Sequence, residues 1–271
     1  MKVLLVITAL LFLVACSTVA FNRSAGFQKT ENVVYKKIDG ESLAGDLYVP
    51  KTGGLKPAVV VVHGGGWTNR SGTMDGISTK LAKAGFVVFN ITYRLAPQSR
   101  YPAPVNDVSD AITWLYDHAD EYQVDTSNIN GWGYSAGAHL ILMAGLDKPQ
   151  SPHLRGIVAG GTPADLTQWP NSPMVRKLIG EPMVNAAEEW KEASPVNHVA
   201  KNSPAVFLYH GQWDKLVEPE QMALMKKALD KQDVKVETYT VTALGHLLTY
   251  AMAGGAERRG IGFLREQRLA E

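Results

Sequence analysis

Along the chain, the hydrophobic and polar positions first show a run of apolar residues from Val3 to Val14, broken only by Thr8. A small, polar stretch follows to about Lys29. Val33 to Ile38 and Leu43 to Val49 are short strand-like runs on either side of Asp39-Gly40, a pair that favours a hairpin turn. Pro57 to His63 (PAVVVVH) has no alternation, so both faces of that strand must be covered, as in a parallel sheet. Phe86 to Ile91 (FVVFNI), Arg155 to Ala159 (RGIVA) and Pro204 to Tyr209 (PAVFLY) repeat the pattern. Val234 to Thr240 (VKVETYT) alternates, which places it nearer a sheet edge. Between these runs, apolar residues at three- and four-residue spacing predict helices over Asp75 to Lys83, Val105 to Tyr116, Ala136 to Leu146 and Gln221 to Leu229. Strands alternating with helices predict a doubly wound, mostly parallel α/β sheet. Ala164 to Ala193, with its prolines and tryptophans, interrupts that rhythm as a cap-like insertion.

Composition narrows the chemistry. The 271 residues carry 27 Lys and Arg against 26 Asp and Glu, with no basic run. That balance argues against nucleic acid, whose binding is built from many phosphate-neutralising cations. The single cysteine, Cys16, permits neither an internal disulfide nor a thiolate zinc cage. No metal site and no cofactor is expected.

Cys16 closes the apolar run. Lys2, a segment too short for a bilayer core of about 30 Å, and Leu13-Val14-Ala15-Cys16 together resemble a bacterial lipobox. The resemblance implies a signal peptide over 1–15, a lipidated Cys16 and a tether over 16–29, ahead of one α/β domain over 30–271 with its insertion at 164–193. Enterobacterial lipoproteins retained in the inner membrane carry Asp after the cysteine, so by that resemblance Ser17 implies the outer membrane, on its periplasmic or surface face. The alternative is an ordinary secretory signal cut near Ala15 or Ala20.

In an open α/β sheet, ligands bind beyond the carboxyl ends of the strands. Gly133-Tyr134-Ser135-Ala136-Gly137 lies at such an end, between the strand-like Asn130-Gly131-Trp132 and a helix. A G-x-S-x-G at a strand-to-helix turn lets the serine project above the sheet, the flanking glycines clearing the tight turn. His63-Gly64-Gly65-Gly66-Trp67 closes another strand, and its bare backbone N–H groups suit a developing oxyanion. No Gly-Lys-Ser/Thr follows, which disfavours a phosphate loop. A serine needs a base, and the base needs an orienting acid. Seven histidines are available. His246 lies on a loop entering the C-terminal helix, and His210 ends a strand ahead of Asp214. Ser135, Asp214, His246 is the chain order of α/β-hydrolase triads. His139 reads as packing, His63 as a shaper of the glycine loop, and His118, His153 and His198 as solvated.

HGGGW (His63–Trp67), TYRLAP (Thr92–Pro97), GYSAG (Gly133–Gly137), HGQWDKLV (His210–Val217) and Gly245-His246 extend in order over about 185 residues. With these the chain resembles α/β-hydrolases of the hormone-sensitive-lipase-like and small carboxylesterase group. The resemblance implies Ser135 as nucleophile, His246 as base and acid, and Asp214 as orienting carboxylate. It implies oxyanion donors on the backbone of Gly65, Gly66 and Ala136, and an Arg94–Asp107 pair bracing the loop below the site. Trp67, Tyr134 and Trp169 are the candidate substrate contacts; Trp169, Met174, Leu178, Met183 and Trp190 either line an acyl pocket or simply bury the insertion. Unlike the larger relatives, the chain has no room for a long N-terminal helical cap before His63, so the roof is small and short to medium acyl groups are expected. GYSAGAHL is also similar to kynurenine formamidases and to small esterases of acylated sugars or feruloyl esters.

The expected activity is hydrolysis of a small acyl ester through an acyl-enzyme, with the rate falling as His246 becomes protonated. An amidase, formamidase or peptidase with the same triad is the alternative, and a catalytically inactive binding protein is a third reading. The sequence says nothing of oligomeric state.

Overall fold

The computed structural model describes residues 26–146 and 154–269. The apolar leader, Cys16, most of the expected tether and His153 lie outside them. β1 (Phe27–Ile38) and β2 (Glu41–Pro50) form the expected hairpin. Its turn places Asp39 at φ 50° and Gly40 at φ 80°, the left-handed pair that matches the twist of the two strands. There follow β3 (Lys56–Val62), α1 (Asp75–Lys83), β4 (Val87–Ile91), α2 (Ala103–Asp117), α3 (Ala119–Tyr122) and β5 (Val124–Tyr134). Next come α4 (Ala136–Leu146), β6 (Gly156–Gly160), α5 (Pro173–Ile179), α6 (Ala187–Glu192) and β7 (Ala205–Gly211). The chain closes with α7 (Glu220–Lys231), β8 (Val236–Val241), α8 (His246–Met252) and α9 (Gly254–Leu269).

The eight strands make one sheet in the order β1-β2-β4-β3-β5-β6-β7-β8. β2 is antiparallel to β1 and β4, and every other pairing is parallel. Successive residues of β3 point to opposite faces, and both faces are apolar. Val60 and Val62 join Leu140, Ile112 and Met225 on one side, while Val59 and Val61 join Leu81 and Phe263 on the other. That double covering is the reason the strand lacks alternation. The alternating β8 lies at the sheet edge, with its residues half-buried or exposed.

One boundary and one assignment differ from the sequence reading. β1 begins at Phe27, which pairs with Pro50, so the last three residues of the expected tether belong to the sheet. As an edge strand, β1 buries only Phe27 and Tyr35, and a strand so exposed leaves little apolar signal. In the 164–193 insertion, Leu178 and Trp190 are fully buried, and Met183 packs beside that core. The Trp190 indole N–H donates to the Glu181 carbonyl at 3.1 Å. These three residues hold the roof onto the body and do not line the pocket.

Candidate active site

Ser135 stands between β5 and α4 with φ +54°, a conformation unusual for a residue with a side chain. Close packing holds it there. A Cβ on Gly133 would lie 2.4 Å from the Gly137 carbonyl oxygen, and one on Gly137 would lie 2.2 Å from that of Val62. The Ser135 N–H donates to Gly160 O at 2.8 Å, which ties the turn to the end of β6.

The glycine loop after β3 packs directly on this turn. A Cβ on Gly64 would stand 3.4 Å from Cβ of Ser135. At Gly65 (φ +122°) it would meet Asn69 O at 1.8 Å, so no other residue fits that bend. The Gly65 carbonyl accepts from Thr68 N–H at 3.2 Å and Asn69 N–H at 3.1 Å, closing the turn. His63 shapes the loop as expected: it is buried, stacks on Tyr93 at 4.3 Å, and its Nδ1–H donates to Gly64 O at 2.7 Å. Burial lowers its pKa to about 4, with the Gly64 bond pulling the other way. It is neutral in this setting.

Asp214 follows β7 and is fully engaged. Its Oδ1 accepts the N–H groups of Leu216 at 3.0 Å and Val217 at 2.9 Å. Its Oδ2 accepts His246 Nδ1–H at 2.6 Å and lies 3.3 Å from His210 Nε2. Burial by itself would raise the pKa of this carboxyl; the bonds from His210, His246 and the Val217 N–H outweigh it and hold it well below the usual carboxylate range. It is therefore an anion facing the imidazole. His246 is itself the first residue of α8, one step further into the helix than expected.

His210 is a residue whose contact the sequence reading missed. Its Nε2–H donates to Val217 O at 2.7 Å, so the same histidine braces the loop that holds Asp214 and touches the carboxylate. Its position four residues before Asp214, at a strand end, was the available signal.

A cavity of about 420 Å³ opens at Ser135. Gly66, Trp67 and Ala136 border it on one side, Trp169 and Met174 belong to the insertion, and Leu216 and Val217 close the far wall. None of its lining residues carries a charge. The Trp169 indole N–H donates to Glu218 at 2.9 Å, which fixes that wall to the loop after β7. Trp67 is buried and donates its indole N–H to His139 Nδ1 at 3.1 Å, while His139 Nε2–H donates to Ala193 O at 2.7 Å. His139 is therefore packing, as expected, and also the support of a pocket wall.

Tyr134 does not line the cavity. Its side chain turns behind His246, and its hydroxyl donates to the His246 carbonyl at 2.6 Å. The alternation of β5 puts residue 134 on the far side from the opening. Two histidines read as solvated are held instead: His118 stacks on Trp114 at 4.1 Å, and His198 Nε2 lies 2.5 Å from Glu192 O. Arg94 and Asp107 pair as expected, Nε to Oδ2 at 2.9 Å and Nη2 to Oδ1 at 2.8 Å. Among the described residues, no group of three or more His, Cys, Asp or Glu gathers as metal ligands would.

The profile of the BD-FAE family matches residues 45–229, more than half of the chain. The chain belongs to that family. Ser135 and Asp214 fall inside the matched BD-FAE region and His246 beyond it, so the fold is what carries His246 to Asp214. The chain is similar to the probable carboxylic ester hydrolase LipM of Mycobacterium tuberculosis, 30% identical over 188 residues that make up 62% of this chain and 43% of that protein. Esterase LipC of the same organism is 28% identical over 185 residues, 61% of this chain and 46% of that one. The chain thus spans less than half the length of these relatives.

Among solved structures, a truncated carbohydrate esterase from gut microbiota superposes with a TM-score of 0.78 at 24% identity, over 90% of this chain and 98% of that one. Propionate-bound esterase 2 of Thermogutta terrifontis gives 0.75 at 23% identity, over 89% and 94%. The architecture is the α/β-hydrolase fold.

Proposed function

We propose that this chain is a serine carboxylesterase acting on small acyl esters. The observation that carries the reading is the buried Asp214–His246 contact of 2.6 Å, set on the same rim as a strained Ser135 that opens into an uncharged cavity. His246 takes the Ser135 proton as Oγ bonds to the acyl carbon, and the carbonyl electrons move onto oxygen. Backbone N–H groups of Gly65, Gly66 and Ala136 receive that oxyanion. Collapse expels the alcohol, which takes the proton from His246. Water activated by His246 then attacks the acyl-enzyme and releases the acid.

An uncharged wall of Trp169, Met174, Leu216 and Val217 suits a neutral acyl group of short to medium length. The names of LipM and LipC, a carboxylic ester hydrolase and an esterase, support the ester reading. A graded series of acyl esters, with matched amides, tests the reading. Turnover is expected on the esters, and Ser135→Ala should lose at least about a thousandfold in kcat/KM. Wild-type turnover in that variant would refute it.

A further inference from the structure

Tyr134 is the last residue of β5 and the residue before Ser135. Its ring is buried and packs on His246, Tyr250 and Tyr209, with centroids 5.1, 5.3 and 5.9 Å away. Its hydroxyl donates to the His246 carbonyl in the first turn of α8. Gly161 fits against both: a Cβ there would lie 3.0 Å from His246 Cε1 and 3.0 Å from Cζ of Tyr134. The residue peptide-bonded to the serine thus grips the main chain of the histidine from 112 positions away.

The carboxylate of Asp214 constrains only the Nδ1 edge of the imidazole. A ring held at one edge can still pivot about that bond and carry Nε2 away from the serine. Fixing the backbone of the same residue removes that freedom. Small misplacements of a reacting group are costly, because a shift of about 1 Å lowers rate by about a hundredfold.

We propose that Tyr134 is a positioning residue, its hydroxyl anchoring the His246 main chain and so fixing the orientation from which the imidazole must serve Ser135 in both proton transfers. The inference rests on the serine-esterase reading. Tyr134→Phe removes one oxygen and keeps the ring packing. The expected result is a fall of about tenfold in kcat per titrated active site, with KM within about twofold. Fluorophosphonate labelling of Ser135 should slow by the same factor, since it needs the same base, and the thermal midpoint should move little.

Wild-type kcat per active site in Tyr134→Phe would overturn the proposal. So would a lower thermal midpoint with kcat per active site unchanged, which is what a purely structural role produces. Gly161→Ala reaches the same contact without altering Tyr134, and a loss in kcat rather than KM is expected there too; if Tyr134→Phe does not fold, unchanged kcat in Gly161→Ala overturns the proposal. Wild-type protein that neither labels nor turns over would remove the esterase reading, and the inference with it. Activity in wild type with no response in either variant removes the inference alone.

Discussion

His63 and His139 face no solvent: each is at most 1% exposed, and each has a pKa lowered by burial to about 4. Both are therefore neutral in the fold while an unfolded histidine titrates near 6.5. Between pH 6.5 and 4 the unfolded chain binds protons that the folded chain refuses, so stability is full above about pH 6.5 and declines as pH falls. The slope is about 1.4 kcal/mol per pH unit for each histidine over that window. Urea midpoints measured from pH 7.5 to 4 should fall accordingly, and His139→Gln should flatten the slope by about half. An unchanged midpoint across that range would count against both burials. Below pH 4 the depressed Asp214 carboxyl adds to the decline in the same direction, since its stabilisation is lost only as it protonates. At this scale Ser135 was legible because G-x-S-x-G is a local pattern. The partners of Tyr134, His139 and His210 were not, because where a buried side chain ends depends on elements far away in sequence.

Lys36 on β1, Arg94 after β4 and Asp107 on α2 meet in one cluster. Lys36 Nζ lies 2.7 Å from Asp107 and 2.6 Å from Asp110, while Arg94 grips Asp107 with two nitrogens. Asp107 is fully buried; burial would raise its pKa, and the bonds from Arg94 and Lys36 lower it instead. Arg94→Met leaves that anion with one cation and should cost about 3 kcal/mol of stability. Because Lys36, Arg94 and Asp107 do not line the cavity at Ser135, kcat/KM of the folded fraction should stay within about twofold. Chemical denaturation beside an active-site titration checks both parts, and a large loss in kcat/KM at full occupancy would move the pair into the catalytic machinery. The strands and main helices were legible as elements, the covered strands from unbroken apolar runs, β8 from its alternation and the helices from three- and four-residue spacing. The edge strand β1 and the roof were less so. An edge strand buries too little to leave a pattern, and Leu178 and Trp190 look the same in sequence whether they face a ligand or the core.

Phe27 pairs with Pro50, beyond the amino end of β4, so the chain enters the sheet at the end opposite the carboxyl ends that carry Ser135 and Asp214. Cys16, the expected anchor, lies ahead of that entry point in the chain. Full-length protein should partition into detergent or membranes, Cys16→Ser should be released, and kcat/KM on a water-soluble ester should agree within about twofold. Wild-type protein that behaves as the variant does would set lipid attachment aside.

The sequence by itself determined the sheet-and-helix rhythm, the strained serine turn, the glycine loop and the order of the three catalytic candidates. The first three are written in local residue pattern and the last in the order of motifs along the chain, neither of which needs knowledge of distant contacts. Tertiary structure alone decided that His210 also reaches Asp214, which insertion residues border the cavity, and that Tyr134 stands behind His246. Those outcomes depend on the packing of β5, β6, β7 and α8 against one another, and no single stretch of chain contains that information.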